Sequence, residues 1–226
     1  MEHKPVVSLI GVTRRFGSGN RAVLALDDVT ADITDEGLTC IAGPSGSGKS
    51  TIVNLVGCLD RPQSGNIVVA GVDVIHLGQR RRRHFRRTML GLVSSVPTEN
   101  LISTLDVAAN VRYALAQRDQ RISAPADVDA VLACVGLDGR DSQCISELSG
   151  GEQLRLGVAC ALVGEPRVLI ADEPTASLDH TSADGIVALL RSLAESGVCV
   201  IIATHDHHVL DAADTTIHLE HGRRTT

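Results

Sequence analysis

One short stretch constrains this chain more than any other: Gly43-Pro44-Ser45-Gly46-Ser47-Gly48-Lys49-Ser50. It fits the pattern GxxxxGK[ST], and it stands between an apolar run, Leu38 to Ala42, and a stretch of helical character, Ser50 to Leu59. A strand must therefore end, and a helix begin, within a few residues. That context is what a phosphate-cradling loop requires. Its glycines let backbone N–H groups turn inward around a β-phosphate. The helix N-terminus near Lys49 adds partial positive charge. Lys49 brings a full charge to the β- and γ-phosphates, and the Ser50 hydroxyl suits Mg²⁺. An ordinary glycine-rich turn would not need every fixed position of the pattern.

The rest of the chain is read around that loop. Val6 to Val12 and Ala22 to Ile33 are apolar and β-branched and predict two strands, as does Ile67 to Val74. Arg80 to Arg87 is a basic block interrupted only by His84 and Phe85. Met89 to Val93 predicts a short strand, and Ser94 to Ser103 a loop. Leu105 to Ala116 and Ala126 to Val135 have helical character, and Gly150-Gly151 opens a helix running to about Val163. A strand over Val168 to Ala171, a helix over Thr181 to Leu193, a buried strand over Val198 to Ala203 and a last strand over Thr215 to Leu219 complete the pass. Strands alternating with helices imply a largely parallel sheet covered on both faces. Residues 94–154 read as an inserted helical subdomain, with 1–93 and 155–226 as one α/β core.

Composition narrows the function. The 226 residues carry a formal net charge of -6, so bulk electrostatics gives no reason to expect nucleic acid as a partner. No window reaches the roughly 18 apolar residues needed to span a bilayer. The N-terminus lacks an apolar signal core, so the chain is expected to be soluble by itself, with any membrane crossed by another polypeptide. The six cysteines form no CxxC pair and are expected to be small buried hydrophobes in a reducing cytosol.

Val168-Leu169-Ile170-Ala171-Asp172-Glu173 supplies the second half of a site. Four apolar residues predict a central strand. Asp172 at its end is positioned to hold Mg²⁺ through water, and Glu173 to polarise an attacking water. Any strand end may carry solvated acids; paired with the Gly43–Ser50 loop, this one gains weight.

Leu148-Ser149-Gly150-Gly151-Glu152-Gln153 lies between the two halves. With it the chain resembles the ABC ATPases over nearly its whole length. Asp172-Glu173-Pro174-Thr175 and Ser177-Leu178-Asp179 look like that family's Walker B and D-loop, and Thr204-His205-Asp206 like its His switch. Gly43 to Gly65, with Leu59-Asp60-Arg61-Pro62 inside it, is similar to the subfamily handling lipoprotein release, macrolide export, peptide resistance and cell division. The resemblance implies a P-loop NTPase (RecA-like) core with a mostly parallel sheet, an antiparallel β part near the N-terminus and the inserted helical subdomain.

It further implies that Gly43, Pro44, Ser45, Gly46, Ser47, Gly48, Lys49, Ser50 and Thr51 hold ATP and Mg²⁺. Ser149, Gly150, Gly151 and Glu152 of a second ABC subunit, packed head to tail as a homodimer or heterodimer, would cap the nucleotide. His205 would contact the γ-phosphate, with Glu173 and Lys49 beside it as catalytic groups. Phe16 falls where the family stacks an aromatic on adenine, although a core phenylalanine is an open alternative. His207, His208, His218 and His221 are taken as surface residues. The implied setting is an ATPase working with a separate transmembrane permease, cytoplasmic and peripheral at the inner face of the cell membrane.

One departure stands out. Where the family has a pattern close to Gly-Phe-Val-Phe-Gln, this chain has Gly91-Leu92-Val93-Ser94-Ser95. Ser95 takes the glutamine position and, being shorter, would reach Mg²⁺ only through water or a shifted loop. Slower hydrolysis, retuned coupling and a regulatory subunit all remain open, with retained activity favoured because the other motif residues are present. The Arg80–Arg87 block reads equally as a solvated helix face or as a contact with a permease or anionic lipid.

Overall fold

The computed structural model describes residues 4–17, 19, 22–118 and 127–225. Its largest sheet has six strands: β3 (Leu38–Ala42), β6 (Leu90–Val93), β7 (Val168–Asp172), β8 (Cys199–Thr204), β9 (Thr215–Glu220) and β10 (Arg223–Thr225). Their order is β10-β9-β3-β8-β7-β6, parallel throughout except for the β9–β10 pair. β3 and β8 are buried along their whole length, as continuous apolar runs at the centre of a parallel sheet must be.

Alternation along these strands divides the interior in two. Leu169, Ala171, Val200 and Ile202 face one core, shared with α3 (Val107–Ala116), α4 (Val128–Cys134), α5 (Gly150–Leu162) and α6 (His180–Glu195). Val168, Ile170, Ile201 and Ala203 face the other, shared with α1 (Lys49–Val56) and an antiparallel sheet. That second sheet comprises β1 (Val7–Phe16), β2 (Val23–Ile33), β4 (Ser64–Val69) and β5 (Val72–Asp73), in the order β2-β1-β4-β5. Each fully buried Leu, Ile or Val contributes about 1.5–3 kcal/mol, so both faces of the main sheet are clamped. Side-chain caps fix the helix starts: Asp106 for α3, Ser149 for α5, Asp179 for α6 and Asp206 for the short α7 (His207–Asp211).

Several expectations are corrected. The strand predicted over Ile67 to Val74 is a hairpin, because Ala70 and Gly71 both take left-handed φ (48° and 76°) and Val69 pairs with Val72. Thr215 to Leu219 does not hold the last strand, since His221 and Gly222 turn the chain back as β10. α7 was not foreseen, and the predicted helix start at Ala126 lies outside the described residues. The basic block forms α2 (Gln79–Met89), yet it is not wholly solvated: Arg82 and Phe85 are buried. Of the cysteines, Cys40, Cys58 and Cys199 are buried, but Cys134 and Cys144 are exposed. Between β6 and α5 the described residues hold helices, short 3-10 turns and one isolated bridge, Asp106 to Cys144. Among the described residues no helix is long and apolar enough to cross a membrane.

Candidate active site

The site gathers at the C-terminal edge of the parallel sheet, where β3, β7 and β8 deliver their loops. After Ala42 the backbone turns through Gly43 and Gly48 at φ 152° and 109°. A Cβ on Gly43 would sit 2.2 Å from the Leu219 carbonyl oxygen, and one on Gly48 2.5 Å from that of Ala25. Both positions need glycine for close approach as well as for φ. Gly48 is the N-cap of α1 and brings no side chain to its free N–H groups, which leaves those donors for an anion.

Lys49 is only 6% exposed. Its Nζ donates to the carbonyls of Gly43 (2.8 Å) and Pro44 (3.2 Å) and lies 3.5 Å from Glu173 Oε1. The ammonium therefore rests at the middle of the loop. Ser47 is held from both sides, its N–H donating to Pro44 O and its carbonyl accepting from Gly222 N. Its hydroxyl is buried without a partner among the described residues.

Parallel pairing sets Asp172 opposite Ala203, and it brings Glu173 beside Thr204 and His205. Asp172 Oδ1 is buried and unpartnered among the described residues. Burial pushes its carboxyl above the usual range, with the Glu173 charge adding to it; a hydrogen bond from Ser50 and the Lys49 charge oppose. An orphaned carboxylate oxygen beside a serine hydroxyl is a donor set that fits Mg²⁺.

Glu173 is held more tightly. Its backbone sits at φ 47°, uncommon for a non-glycine residue, with its N–H donating to Ala203 O at 2.8 Å. Oε1 contacts His205 Nδ1 at 2.8 Å, while Oε2 accepts from the Thr204 hydroxyl at 3.0 Å. Burial alone would raise this carboxyl. The hydrogen bonds from His205 and Thr204 and the charges of His205 and Lys49 outweigh burial and hold it below the ordinary glutamate value.

Phe16, Val23, Ala25, Ser45, Gly46, Gly48, Lys49, Ser50, Thr51, Glu173 and His205 all line one cleft of about 430 Å³. Phe16 stands at its rim, 43% exposed, with the Arg14 guanidinium 4.5 Å from its ring centroid. Arg14, Val23 and Ala25 are not singled out by the sequence, and Thr204 enters there only as part of the Thr204-His205-Asp206 motif, without a role of its own.

Two predicted groups lie apart from this cleft. Ser149 caps α5, accepting from Glu152 N (3.3 Å) while its own N–H and hydroxyl donate to Glu152 Oε2 (both 2.8 Å). Gly151 packs against Ser182 of α6, where a Cβ would come within 3.0 Å. Ser95 does not line the cleft either. The register that pairs Val93 with Ala171 carries Ser94 to the sheet edge next to Asp172, and there Ser94 turns its hydroxyl onto Glu99 at 2.7 Å.

The sequence profile of the ABC transporter family matches residues 26–176, two thirds of the chain and all of the loop, signature and acidic elements just described. The chain belongs to the ABC transporter family. It is an ATPase cassette. The cassette is 39% identical to the macrolide export ATP-binding/permease protein MacB of Rhodospirillum rubrum, over 97% of this chain and 34% of that protein. It is likewise 39% identical to MacB of Burkholderia pseudomallei, over 97% and 33%. The cassette thus spans about a third of the length of these relatives. Among solved structures it is similar to the ATP-binding cassette MJ0796 in a dimeric post-hydrolysis state bound to ADP and Pi, with TM-score 0.85, 31% identity and 97% of each chain covered. It is also similar to cbiO1 of Clostridium perfringens, part of the ABC transporter complex cbiONQ, with TM-score 0.86, 26% identity, and 99% and 88% covered.

Proposed function

We propose that two copies of the cassette hydrolyse ATP head to tail and drive a membrane permease carried on a separate chain, exporting or releasing a lipid-linked, peptide or drug-like cargo. One observation carries this reading: a single cleft collects Ser45, Gly46, Gly48, Lys49 and Ser50 of the phosphate loop with Glu173, His205 and the aromatic Phe16. Macrolide export is what the names of the MacB relatives state, and it supports the export direction. The dimeric MJ0796 cassette supports the pairing. In such a pair Ser149, Gly150, Gly151 and Glu152 of one copy cap the nucleotide of the other, which accounts for their lying apart from the cleft of their own chain.

Within the cleft the α1 N-terminus and Lys49 hold the phosphates, and Phe16 offers a stacking face to the base. Ser50 and Asp172 would hold Mg²⁺, which when bound neutralises charge on the β- and γ-phosphate oxygens. Glu173, kept ionised, takes a proton from water as that water attacks the γ-phosphorus. The bond to the β–γ bridging oxygen breaks, leaving ADP and phosphate. His205, tied to Glu173, orients the carboxylate and hydrogen-bonds the γ-phosphate. Residues 94–154 act as a helical subdomain that carries the capping motif.

A second reading, a low-turnover regulatory subunit, is favoured by Ser95 standing off the cleft. The deciding experiment is steady-state ATP hydrolysis with Mg²⁺ beside Glu173→Gln. Turnover that disappears in the variant supports the active engine; wild-type activity no higher than the variant's sinks it in favour of the regulatory reading.

A further inference from the structure

A second cleft, of about 440 Å³, opens at the C-terminal end of α1, the opposite end of that helix from the phosphate loop. Four arginines line it: Arg61, Arg82, Arg83 and Arg86. The only acid among the described residues of its wall, Asp60, is already engaged, with Oδ2 accepting from Arg14 Nε at 2.8 Å and Oδ1 from the Arg61 N–H at 2.7 Å. Neutral acceptors fix three of the guanidinium groups. Arg82 donates to the Asp60 carbonyl, Arg86 to that of Cys58 at 2.8 Å, and Arg61 to that of Leu77 at 2.6 Å. Among the described residues no carboxylate forms an ion pair with any of the four.

Arg82 is 7% exposed, a cation almost fully withdrawn from water in the company of like charges. Burial holds its pKa below the usual arginine value, and Arg61 and Arg86 push the same way against Cys58 and Asp60. A buried cation with no carboxylate paired to it is costly, and an anion in the cleft offsets that cost. A guanidinium has five N–H donors in a planar fork, and these carbonyl contacts use one from each of the three. What remains is a set of guanidinium forks lining one cleft, a donor type that matches phosphate oxygens. Anchoring the turn that follows α1 would account for the Arg82 and Arg86 contacts alone. It leaves unexplained why Arg83 lines the same cleft and why Arg61 reaches across to Leu77.

We infer that this arginine cleft is a binding site for a phosphate-bearing anion, supplied either by a phospholipid headgroup or by a small soluble phosphate compound. The nucleotide loop also binds phosphate, so the test is run with that loop filled by saturating ADP. Glycerol phosphate binding is measured by calorimetry. Retention on phosphatidylcholine vesicles, with and without phosphatidic acid, is measured by flotation. Two double variants are compared: Arg83→Glu with Arg86→Gln, inside the cleft, and Arg80→Glu with Arg81→Glu, on the same helix but outside its lining.

The cleft pair is expected to weaken binding about tenfold or more, through loss of charge-assisted forks. The outer pair is expected to weaken it by less than about threefold, because exposed charges are screened. Binding of glycerol phosphate assigns a soluble source; cleft-dependent retention on phosphatidic acid vesicles assigns a headgroup. Equal losses in both double variants, or no binding of either probe by the wild type, overturn the inference. Arg83→Glu alone, at an exposed position, gives the same ordering should the cleft pair fail to fold, and ADP affinity checks that each variant is native.

Discussion

Glu173 and His205 are joined through Oε1 and Nδ1 at 2.8 Å, across the gap between β7 and β8. The two residues are 32 positions apart in sequence, and only the parallel register of those strands brings them together. The contact fixes the carboxylate that the proposed mechanism uses as its base.

Glu173→Gln removes that base while keeping size and hydrogen-bonding shape. Hydrolysis is expected to fall by about 10²–10⁴-fold, with ATP binding retained. A phosphate-release assay run beside nucleotide-binding titration separates the two. The same substitution carries a pH signature. The folded carboxyl lies below its ordinary value of 4.5, so its ionisation stabilises the fold above that value, and this contribution is lost as pH falls through the lower, folded pKa. The stability gap between wild type and Glu173→Gln in urea melts should therefore narrow in acid. A gap independent of pH would contradict the assignment.

Asp172 behaves in the opposite sense. Burial raises the pKa of its carboxyl, one oxygen of which has no partner among the described residues, so the ionised form is disfavoured in the ligand-free fold. Asp172→Asn is expected to leave the ligand-free melting temperature unchanged or raise it by about 2–4 °C, the scale of a ~1 kcal/mol change. Mg²⁺-dependent stabilisation by ATP should be lost in the same variant. A drop in the ligand-free melting temperature would argue against the unsatisfied-oxygen reading.

Ser149→Ala deletes the α5 cap and its exchange with Glu152, and should cost about 1 kcal/mol in chemical denaturation. Its effect on hydrolysis should exceed what that stability loss explains when both proteins are assayed well below their melting points. Activity that tracks folded fraction alone would reduce Ser149 to a capping residue.

Ser95→Gln restores the amide absent from the loop after β6. Turnover is expected to rise about two- to tenfold, the range of one modest hydrogen bond at the reacting centre. Unchanged turnover would mean that the Ser94–Glu99 pairing has taken this loop off the catalytic path.

Much of the site was legible in the sequence because its chemistry is local. Gly43 to Ser50 must be contiguous for successive N–H groups to surround one phosphate, and Asp172-Glu173 must follow an apolar run to stand at a sheet edge. The Ile67 to Val74 hairpin was not legible, because apolar alternation runs on through Ala70-Gly71 and hides a two-residue turn. The buried side of α2 was hidden too, since a run of arginines looks solvated until Cys58 and Asp60 are seen to offer it carbonyls.

By itself, then, the sequence determined the α/β class, the phosphate loop, the acid pair and the family, all set by residues within a few positions of one another. The tertiary structure decided what depends on distant segments meeting. It set Thr204 and His205 on Glu173, left Asp172 with an orphaned oxygen, and put Phe16 at the rim of the same cleft. It also carried Ser149 away from that cleft and gathered four arginines that pair with no carboxylate among the described residues. Strand register and helix packing fix such relations through burial over the whole chain, and no local pattern encodes them.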